Sequence, residues 1–230
     1  MTTPARAGAA PAFIAALAAV AIASCATVGP SGATSLYRRI ARSAVIVEAE
    51  HSTGSGTVIA SEPGVLLVLT AHHVVAAGPK ALRIVLADPS LSPDANAPAV
   101  IVAVDADHDL ALLLAETSIS RPPLPIARHE PALYEPLYSV AAPLGLGGTA
   151  SPALLSSKAI RHGESDLWEI TGFTFFGSSG GTLANAQGEL VAVPIRVASM
   201  GTFPVPDVGF CVPLPAIRQF LARTVPELDL

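Results

Sequence analysis

The sequence has few charged residues, few aromatic residues and only two cysteines. Charged residues make up 13% of the 230 residues and aromatic residues 5%, whereas hydrophobic residues reach 51%. The formal net charge is −5. No excess of basic residues is therefore present to neutralise a phosphate backbone, which excludes nucleic acid as an expected partner.

The sequence also has no histidine after His162. This absence matters because Gly177-Ser178-Ser179-Gly180-Gly181 contains the Gly-x-Ser-x-Gly pattern of α/β-hydrolases, and that fold needs its histidine after the serine. No aspartate precedes His73, which excludes the order found in subtilisin. The order that remains is His, Asp, Ser. In that order a histidine removes the serine proton and an aspartate orients the histidine.

Three residues in this order have distinctive local settings. His73 lies in Thr70-Ala71-His72-His73-Val74, Asp109 begins an apolar run, and Ser179 has glycines around it. We expect His73 to act as general base, Asp109 as its orienting carboxylate and Ser179 as nucleophile. The glycines would let the N–H groups of Gly177 and Ser179 turn inward as an oxyanion hole.

Neighbouring residues offer alternatives for these roles. His72 would point to the opposite side from His73 if the segment were extended, so we expect it to be structural. Asp105 and Asp107 compete with Asp109, but only Asp109 is followed by Leu-Ala-Leu-Leu. The paired histidines could also suggest a metal site, but the sequence contains no His-Glu-x-x-His pattern. We therefore expect neither a metal nor a cofactor.

Together with further segments, these motifs resemble those of chymotrypsin-fold serine proteases of the HtrA/Deg type. The matching segments run from about Arg42 to about Leu221 in the order of that family. They are Gly54-Ser55-Gly56-Thr57-Val58-Ile59, Thr70-Ala71-His72-His73-Val74, Asp109 to Leu113, Pro143-Leu144-Gly145-Leu146, Gly177 to Gly181 and Gly209-Phe210-Cys211-Val212-Pro213. The resemblance implies a serine endopeptidase that acts on polypeptides through an acyl-enzyme.

The sequence departs from the family pattern at three points, and at one of them Ala141-Ala142 replaces the Gly-Asn that precedes Pro-x-Gly in the family. Ser178 stands where the family usually has Asn and where pancreatic-type enzymes have an Asp that pairs with a new N-terminus. The resemblance therefore implies no activation switch of that kind. Ser178 is also the alternative to Ser179 as the nucleophile. Seventeen residues follow Pro213, so we expect no PDZ domain within this sequence.

The resemblance also implies a substrate preference. It places Thr174, Ala198 and Val208 around the primary specificity pocket. All three are small and none is acidic, which favours small aliphatic residues before the scissile bond and disfavours Lys or Arg. Two other functions stay open, namely a protease-fold binding module without turnover and an esterase-type acyl hydrolase.

Many short apolar segments separated by Gly and Pro predict an all-β fold. The resemblance implies two six-stranded antiparallel β-barrels, at about residues 44–120 and 126–214, with a crossing at Pro122 to Pro125. A short N-terminal helix capped by Ser35 and a C-terminal helix at about 216–223 complete the fold. The predicted strands lie at 44–49, 56–60, 65–70, 82–86, 100–104, 111–114, 137–142, 153–160, 167–171, 181–183, 190–197 and 208–212.

The N-terminal segment resembles a targeting sequence. We expect residues 1–24, which contain an apolar run, to be a signal peptide, and Ile22-Ala23-Ser24-Cys25 resembles a bacterial lipobox. Residues 25–34 would then be a tether, and residues 35–230 the protease domain. An ordinary signal peptide or a short membrane anchor are the alternatives. The lipobox predicts an exported protein that a lipid on Cys25 anchors to a membrane of the bacterial cell envelope, facing the periplasm.

Lipidation of Cys25 would leave Cys211 without a partner for an internal disulfide. Cys211 lies between Phe210 and Val212 in an apolar segment. We therefore expect it to be a small, buried and unreactive side chain.

The lipobox generates a prediction about Cys25. In a Gram-negative host, the protein should partition into detergent, and its N-terminal peptide should carry the mass of a diacylglyceryl cysteine. Cys25→Ser should lose both properties, because the thiol is the site of attachment. Mass spectrometry that finds an unmodified Cys25 inside a mature chain would contradict the prediction.

Overall fold

The computed structural model describes residues 32–78, 80–86, 96–142, 145, 148–162, 165–172, 176–201 and 203–228. The predicted signal peptide, Cys25 and the tether up to residue 31 lie outside the described residues, as does Thr174. No helix within the described ranges is long and apolar enough to cross a membrane. Residues 36–230 contain one compact unit that carries all the strands.

Twelve strands and three helices occur in the described residues. The helices are α1 (Gly32–Ala41), α2 (His72–Val75) and α3 (Leu214–Thr224). The strands are β1 (Ala44–Ala49), β2 (Ser52–Glu62), β3 (Val65–Ala71), β4 (Arg83–Val85), β5 (Asn96–Asp105), β6 (Leu110–Glu116), β7 (Pro136–Ala141), β8 (Thr149–His162), β9 (Ser165–Gly172), β10 (Thr182–Ala184), β11 (Leu190–Met200) and β12 (Phe203–Pro213).

The strands close into two barrels of six strands each. The order around the first barrel is β1-β2-β3-β6-β5-β4, and around the second it is β10-β11-β12-β9-β8-β7. All neighbouring strands within the barrels are antiparallel. Closure leaves no open sheet edge within a barrel. The predicted all-β fold with two six-stranded antiparallel barrels is confirmed.

Alternation of side chains along the strands places the apolar residues in the barrel interiors. On β5, Ala97 and Ala99 are buried while Val100, Val102 and Val104 point outward, as the period of two requires. Strands β3 and β6 are buried along most of their length because both of their faces are covered. The core residues form one continuous cluster.

Cys211 lies in this core on β12, as predicted. Its side chain is fully buried and its Sγ lies 3.5 Å from the Trp168 carbonyl oxygen. Burial in an apolar environment raises the pKa of the Cys211 thiol. The thiol is thus neutral and unreactive at physiological pH.

The N-terminal helix begins earlier than the sequence suggested. We predicted a cap at Ser35, but α1 begins at Gly32, so residues 32–34 of the predicted tether are helical. The Ser35 hydroxyl donates to the Gly32 carbonyl at 2.8 Å instead of accepting from a later N–H. A capping side chain must accept such a bond, so Ser35 belongs to the first turn of the helix.

The C-terminal helix is close to its predicted limits. Helix α3 begins one residue after Pro213 and has Pro215 in its first turn, where the missing N–H costs no helical hydrogen bond. Ile217, Phe220 and Leu221 are buried along one side. This apolar stripe has the spacing expected of a helix packed on a core.

Hydrogen bonds connect the two barrels through strand β2 and the predicted crossing. The hydroxyls of Thr57 and Thr182 are buried and lie 2.6 Å apart, one on each barrel. Leu124, within the crossing, donates its N–H to the Val58 carbonyl at 2.8 Å. Ser43 donates its hydroxyl to the carbonyl of Pro122 at 2.7 Å. The Thr57–Thr182 bond thus joins the two barrels directly, whereas the bonds of Leu124 and Ser43 attach the crossing to the first barrel.

Candidate active site

His73 lies just after the end of strand β3. The strand ends at Ala71, and residues 72–75 turn into the short helix α2 instead of continuing in the extended form that we had considered. Val74 and Val75 are fully buried and anchor this turn. The His73 side chain is 46% exposed, so its ring stays accessible to another molecule.

Asp109 lies beside His73 because β3 and β6 pair in register. Ala71 faces Leu110 across the two strands, which brings the start of β6 next to the end of β3. The Asp109 carboxylate accepts from the His73 backbone N–H at 2.8 Å through Oδ1, and its Oδ2 lies 2.7 Å from His73 Nδ1. A carboxylate can only accept, so Nδ1 carries a proton and Nε2 is left as the acceptor in the neutral ring.

The backbone at Asp109 reinforces this arrangement. Its φ of 56° lies in the left-handed region, which Asp adopts more readily than most residues. Its carbonyl accepts from the His72 N–H at 3.0 Å. His72 thus has a structural role through its backbone, and three hydrogen bonds hold the turn before β6 against α2.

Asp105, one of the two alternatives to Asp109, is engaged elsewhere. Its carboxylate accepts from the His108 N–H and lies within 3.1 Å of His108 Nδ1, and it accepts from Arg223 of α3 at 2.7 Å. Burial alone would raise the pKa of Asp105, but the hydrogen bonds from His108 and the charges of His108 and Arg223 lower this pKa overall. Asp107, the other alternative, has an exposed side chain, and its carbonyl accepts from Ser165 at 2.6 Å.

Ser179 lies on the loop between β9 and β10. Ser178 is 6% exposed, whereas Ser179 is more accessible and lines the same cavity as His73. The structure thus separates the two serines by exposure. The Ser179 hydroxyl donates to the Ile195 carbonyl at 3.3 Å, and no hydrogen bond joins it to His73. Catalytic hydrogen bonds are often long or poorly aligned before substrate binds.

Two glycines with positive φ shape this loop, and Gly180 lets it approach the first barrel. Gly177 and Gly180 have φ values of 93° and 81°, which side-chain-bearing residues rarely adopt. A Cβ on Gly180 would collide with the Ser55 carbonyl and the Thr70 hydroxyl. Within the part of the chain that the structure describes, the Gly177 and Ser179 N–H groups donate to no backbone oxygen. The oxyanion hole that we assigned to them stays a prediction.

The cavity beside Ser179 has a volume of about 500 Å³. Ala198 lines it, as expected for a pocket residue. Val208 lies on β12 opposite Thr171 and is not among the lining residues, and Thr174 lies outside the described residues. Sequence reasoning missed Phe176 and Arg196, which also line the cavity. Phe176 directly precedes Gly177 and Arg196 lies two residues before Ala198, and this proximity to assigned site residues was the available signal.

A family model and several relatives match the sequence. The model described as "Trypsin-like peptidase domain" matches residues 54–193. Serine protease HTRA4 of Homo sapiens is 28% identical over 180 residues, which cover 74% of this chain and 34% of that protein. The mitochondrial serine protease HTRA2 of Bos taurus is 28% identical over 184 residues, which cover 76% of this chain and 37% of that protein. The chain thus spans about a third of the length of these relatives.

Solved structures share the two-barrel architecture. An inactive form of Rv3671c from M. tuberculosis H37Rv superposes with a TM-score of 0.66 at 22% identity, covering 85% of this chain and 92% of that one. The serine endoprotease from Yersinia pestis superposes with a TM-score of 0.69 at 22% identity, covering 86% of this chain and 68% of that one. At this identity the likeness shows the fold alone.

The network around Asp105 generates a prediction about pH. A lowered pKa in the folded protein means that the ionised carboxylate stabilises the fold above the ordinary value of 3.8, and that this contribution is lost as the pH falls through the lowered pKa. Asp105→Asn should therefore lower the melting temperature at pH 7 by about 2–4 °C. The difference should shrink as the solution is acidified.

Thermal unfolding of both proteins between pH 3 and pH 8 measures this effect. Asp107→Asn is the matched control, since the Asp107 side chain is exposed, and it should change little. An Asp105→Asn deficit that stays constant across the range would contradict the assignment.

Proposed function

The chain belongs to the family described as trypsin-like peptidase domain, and we propose that it is a serine endopeptidase with His73, Asp109 and Ser179 as its catalytic triad. One observation carries this proposal. The Asp109 carboxylate contacts both the backbone and the ring of His73, and that ring and Ser179 border one cavity. The proposed nucleophile and base therefore face the same cavity, and the orienting group contacts the base.

The proposed reaction begins with a proton transfer to His73. Asp109 fixes the proton on Nδ1, so the Nε2 lone pair is free to take the proton of the Ser179 hydroxyl. A rotation about the Ser179 side chain would move the hydroxyl from the Ile195 carbonyl to His73. The oxygen then attacks the peptide carbonyl carbon and forms a tetrahedral intermediate, whose negative oxygen the N–H groups of Gly177 and Ser179 would stabilise.

The second half of the reaction returns that proton. His73 gives it to the leaving amine nitrogen as the C–N bond breaks, which leaves an acyl-enzyme on Ser179. Water then loses a proton to His73 and attacks the ester carbonyl, and the proton goes back to Ser179 as the acid product leaves. Throughout, the Asp109 carboxylate stabilises the positive charge that forms on the ring of His73.

We also propose that cleavage follows small aliphatic residues. Ala198 on the cavity wall supports this preference, and among the described lining residues no Asp or Glu occurs. The charged residue on that wall is the cationic Arg196. A Lys or Arg side chain of a substrate would therefore lose its hydration without gaining a carboxylate partner.

The proposed location rests on the N-terminal sequence. A lipid on Cys25 would attach the enzyme to a bacterial envelope membrane and leave the catalytic domain facing the periplasm. Polypeptides in that compartment would be its substrates.

The triad generates a set of kinetic expectations. Ser179→Ala, His73→Ala and Asp109→Asn should each lower kcat by about 10⁴-fold or more, and a combined variant should lose little more, because the three groups act together. Activity should also fall in acid, since a protonated His73 cannot accept a proton. Peptide hydrolysis by the purified mature domain, followed across pH, measures both effects.

Ser178→Ala and His72→Ala are the matched controls, and both should keep most of the activity. Circular dichroism should confirm that every variant is folded. If Ser178→Ala abolished activity while Ser179→Ala kept it, the assignment would be wrong by one residue. Hydrolysis of a short ester with no hydrolysis of peptides would instead indicate an esterase.

The pocket proposal predicts a cleavage profile. A peptide library should be cut mainly after Val, Ala or Leu, because an apolar pocket gains about 0.8 kcal/mol per buried methylene. Ala198→Asp should increase cleavage after Lys and Arg by placing a carboxylate on the cavity wall. Val208→Asp is the control outside the cavity lining. A profile dominated by Lys or Arg in the wild-type protein would refute the proposal.

A further inference from the structure

We propose that Ser55 is a positioning residue that holds the nucleophile loop in its working conformation. The inference rests on the proposed function, because the loop in question carries Ser179. Ser55 lies on strand β2 of the first barrel, and the loop belongs to the second. Its contacts reach both sides of the nucleophile.

Ser55 makes two hydrogen bonds to the loop. Its backbone N–H donates to the Ser179 carbonyl at 2.8 Å, and its hydroxyl donates to the Gly177 carbonyl at 2.7 Å. The same hydroxyl accepts from the Ala142 N–H at 2.8 Å. Ser55 is 1% exposed, so no water competes for these bonds. The hydroxyl uses its donor and an acceptor site at once.

These two bonds fix the peptide units that flank the nucleophile. The Gly177 carbonyl belongs to the planar unit that joins residues 177 and 178, and the Ser179 carbonyl to the unit that joins residues 179 and 180. The unit between them carries the Ser179 N–H, one of the two proposed oxyanion donors. Fixing the units on both sides leaves the direction of that N–H little freedom.

The loop needs an external restraint because of its glycines. Gly177 and Gly180 flank the two serines, and glycine populates positive and negative φ with similar ease. Nothing in the local covalent structure would therefore keep the Gly177 peptide in one orientation. Gly180 and Gly181 are held by hydrogen bonds to the carbonyls of Pro194 and Ser178, and the buried hydroxyl of Ser55 supplies the bond that restrains the Gly177 carbonyl.

The two neighbours of Ser55 on β2 are glycines, and neither position has room for a side chain. A Cβ on Gly54 would collide with the side chain of Val74 and contact the Ser179 carbonyl, and a Cβ on Gly56 would collide with Val68. At Gly54 the strand thus approaches the loop too closely for a larger residue, whereas at Gly56 the limit is the packing inside the first barrel.

Ser55 also connects the loop to the strand that leads to His73. Its carbonyl accepts from the Thr70 hydroxyl at 2.6 Å. Thr70 is the second-last residue of β3, and this strand leads directly into α2. One residue therefore bonds to both the Ser179 loop and the strand preceding the proposed base.

The test compares Ser55→Ala with a matched control, Ser43→Ala. Ser43 is also 1% exposed, and its hydroxyl also donates to a backbone carbonyl at 2.7 Å, that of Pro122. Both variants lose one buried hydroxyl, and Ser55→Ala should lose more stability in thermal unfolding because its hydroxyl makes two hydrogen bonds and that of Ser43 makes one. Only Ser55→Ala should impair the chemistry. Ser55→Cys, which fills nearly the same space with a weak hydrogen-bonding atom, provides a second variant if the alanine variant unfolds.

Kinetics on a peptide p-nitroanilide with valine before the scissile bond provide the first measurement. We expect Ser55→Ala to lower kcat by about tenfold or more with little change in KM, because oxyanion stabilisation acts in the transition state. The affinity for a matching peptide boronate, whose tetrahedral adduct occupies the same site, should fall by the same factor as kcat/KM. Equal kcat values for the Ser55→Ala and Ser43→Ala variants would overturn the inference.

Amide hydrogen exchange tests the restraint independently of activity. Peptides that cover residues 177–181 should exchange faster in Ser55→Ala than in the wild type, and at the wild-type rate in Ser43→Ala. If the wild type hydrolysed no peptide, the proposed function would fail while this measurement still decided the role of Ser55. Unchanged exchange in Ser55→Ala and Ser55→Cys would overturn the inference even in an active enzyme.

Discussion

The geometry of the site depends on the contact between strand β2 and the loop that carries Ser179. His73 and Asp109 belong to the first barrel and Ser179 to the second, so no local sequence can set the distance between them. The hydrogen bonds of Ser55 and the buried Thr57–Thr182 hydroxyl pair set it instead. Glycines at the contact let the backbones approach more closely than side chains would permit. A small displacement of one barrel would separate the proposed nucleophile from its base.

Within the first barrel, two carboxylates at the turn between β5 and β6 contact different histidines. Asp109 accepts from the His73 N–H and lies close to His73 Nδ1, and Asp105 makes the same two contacts with His108. Asp105 is additionally paired with Arg223 and helps to attach helix α3. Asp109 instead contacts His73, which lines the cavity. Similar local chemistry therefore supports the fold at one end of the turn and the proposed catalysis at the other.

The sequence was informative where a single segment determines the outcome. Alternating and fully apolar runs predicted the strands of both barrels, and the chain order of His73, Asp109 and Ser179 excluded competing hydrolase folds. It was less informative where distant segments meet, as at the one-turn helix at His72, which accompanies burial of Val74 and Val75. The early start of α1 was a local error instead, since the Ser35 hydroxyl donates to the Gly32 carbonyl within the first turn and does not cap the helix. Arg196 and Phe176 line the cavity because strands and loops from several parts of the second barrel converge there.

Covalent labelling by a fluorophosphonate, with the labelled residue identified, tests the proposed His73–Asp109–Ser179 triad most directly. The reagent phosphonylates a serine only when a neighbouring base accepts its proton. We expect a single adduct on Ser179 in the wild-type protein, seen by tandem mass spectrometry of the peptide that spans the loop, and no adduct in folded His73→Ala. An adduct on Ser178, or equal labelling of Ser179 with and without His73, would contradict the proposed triad.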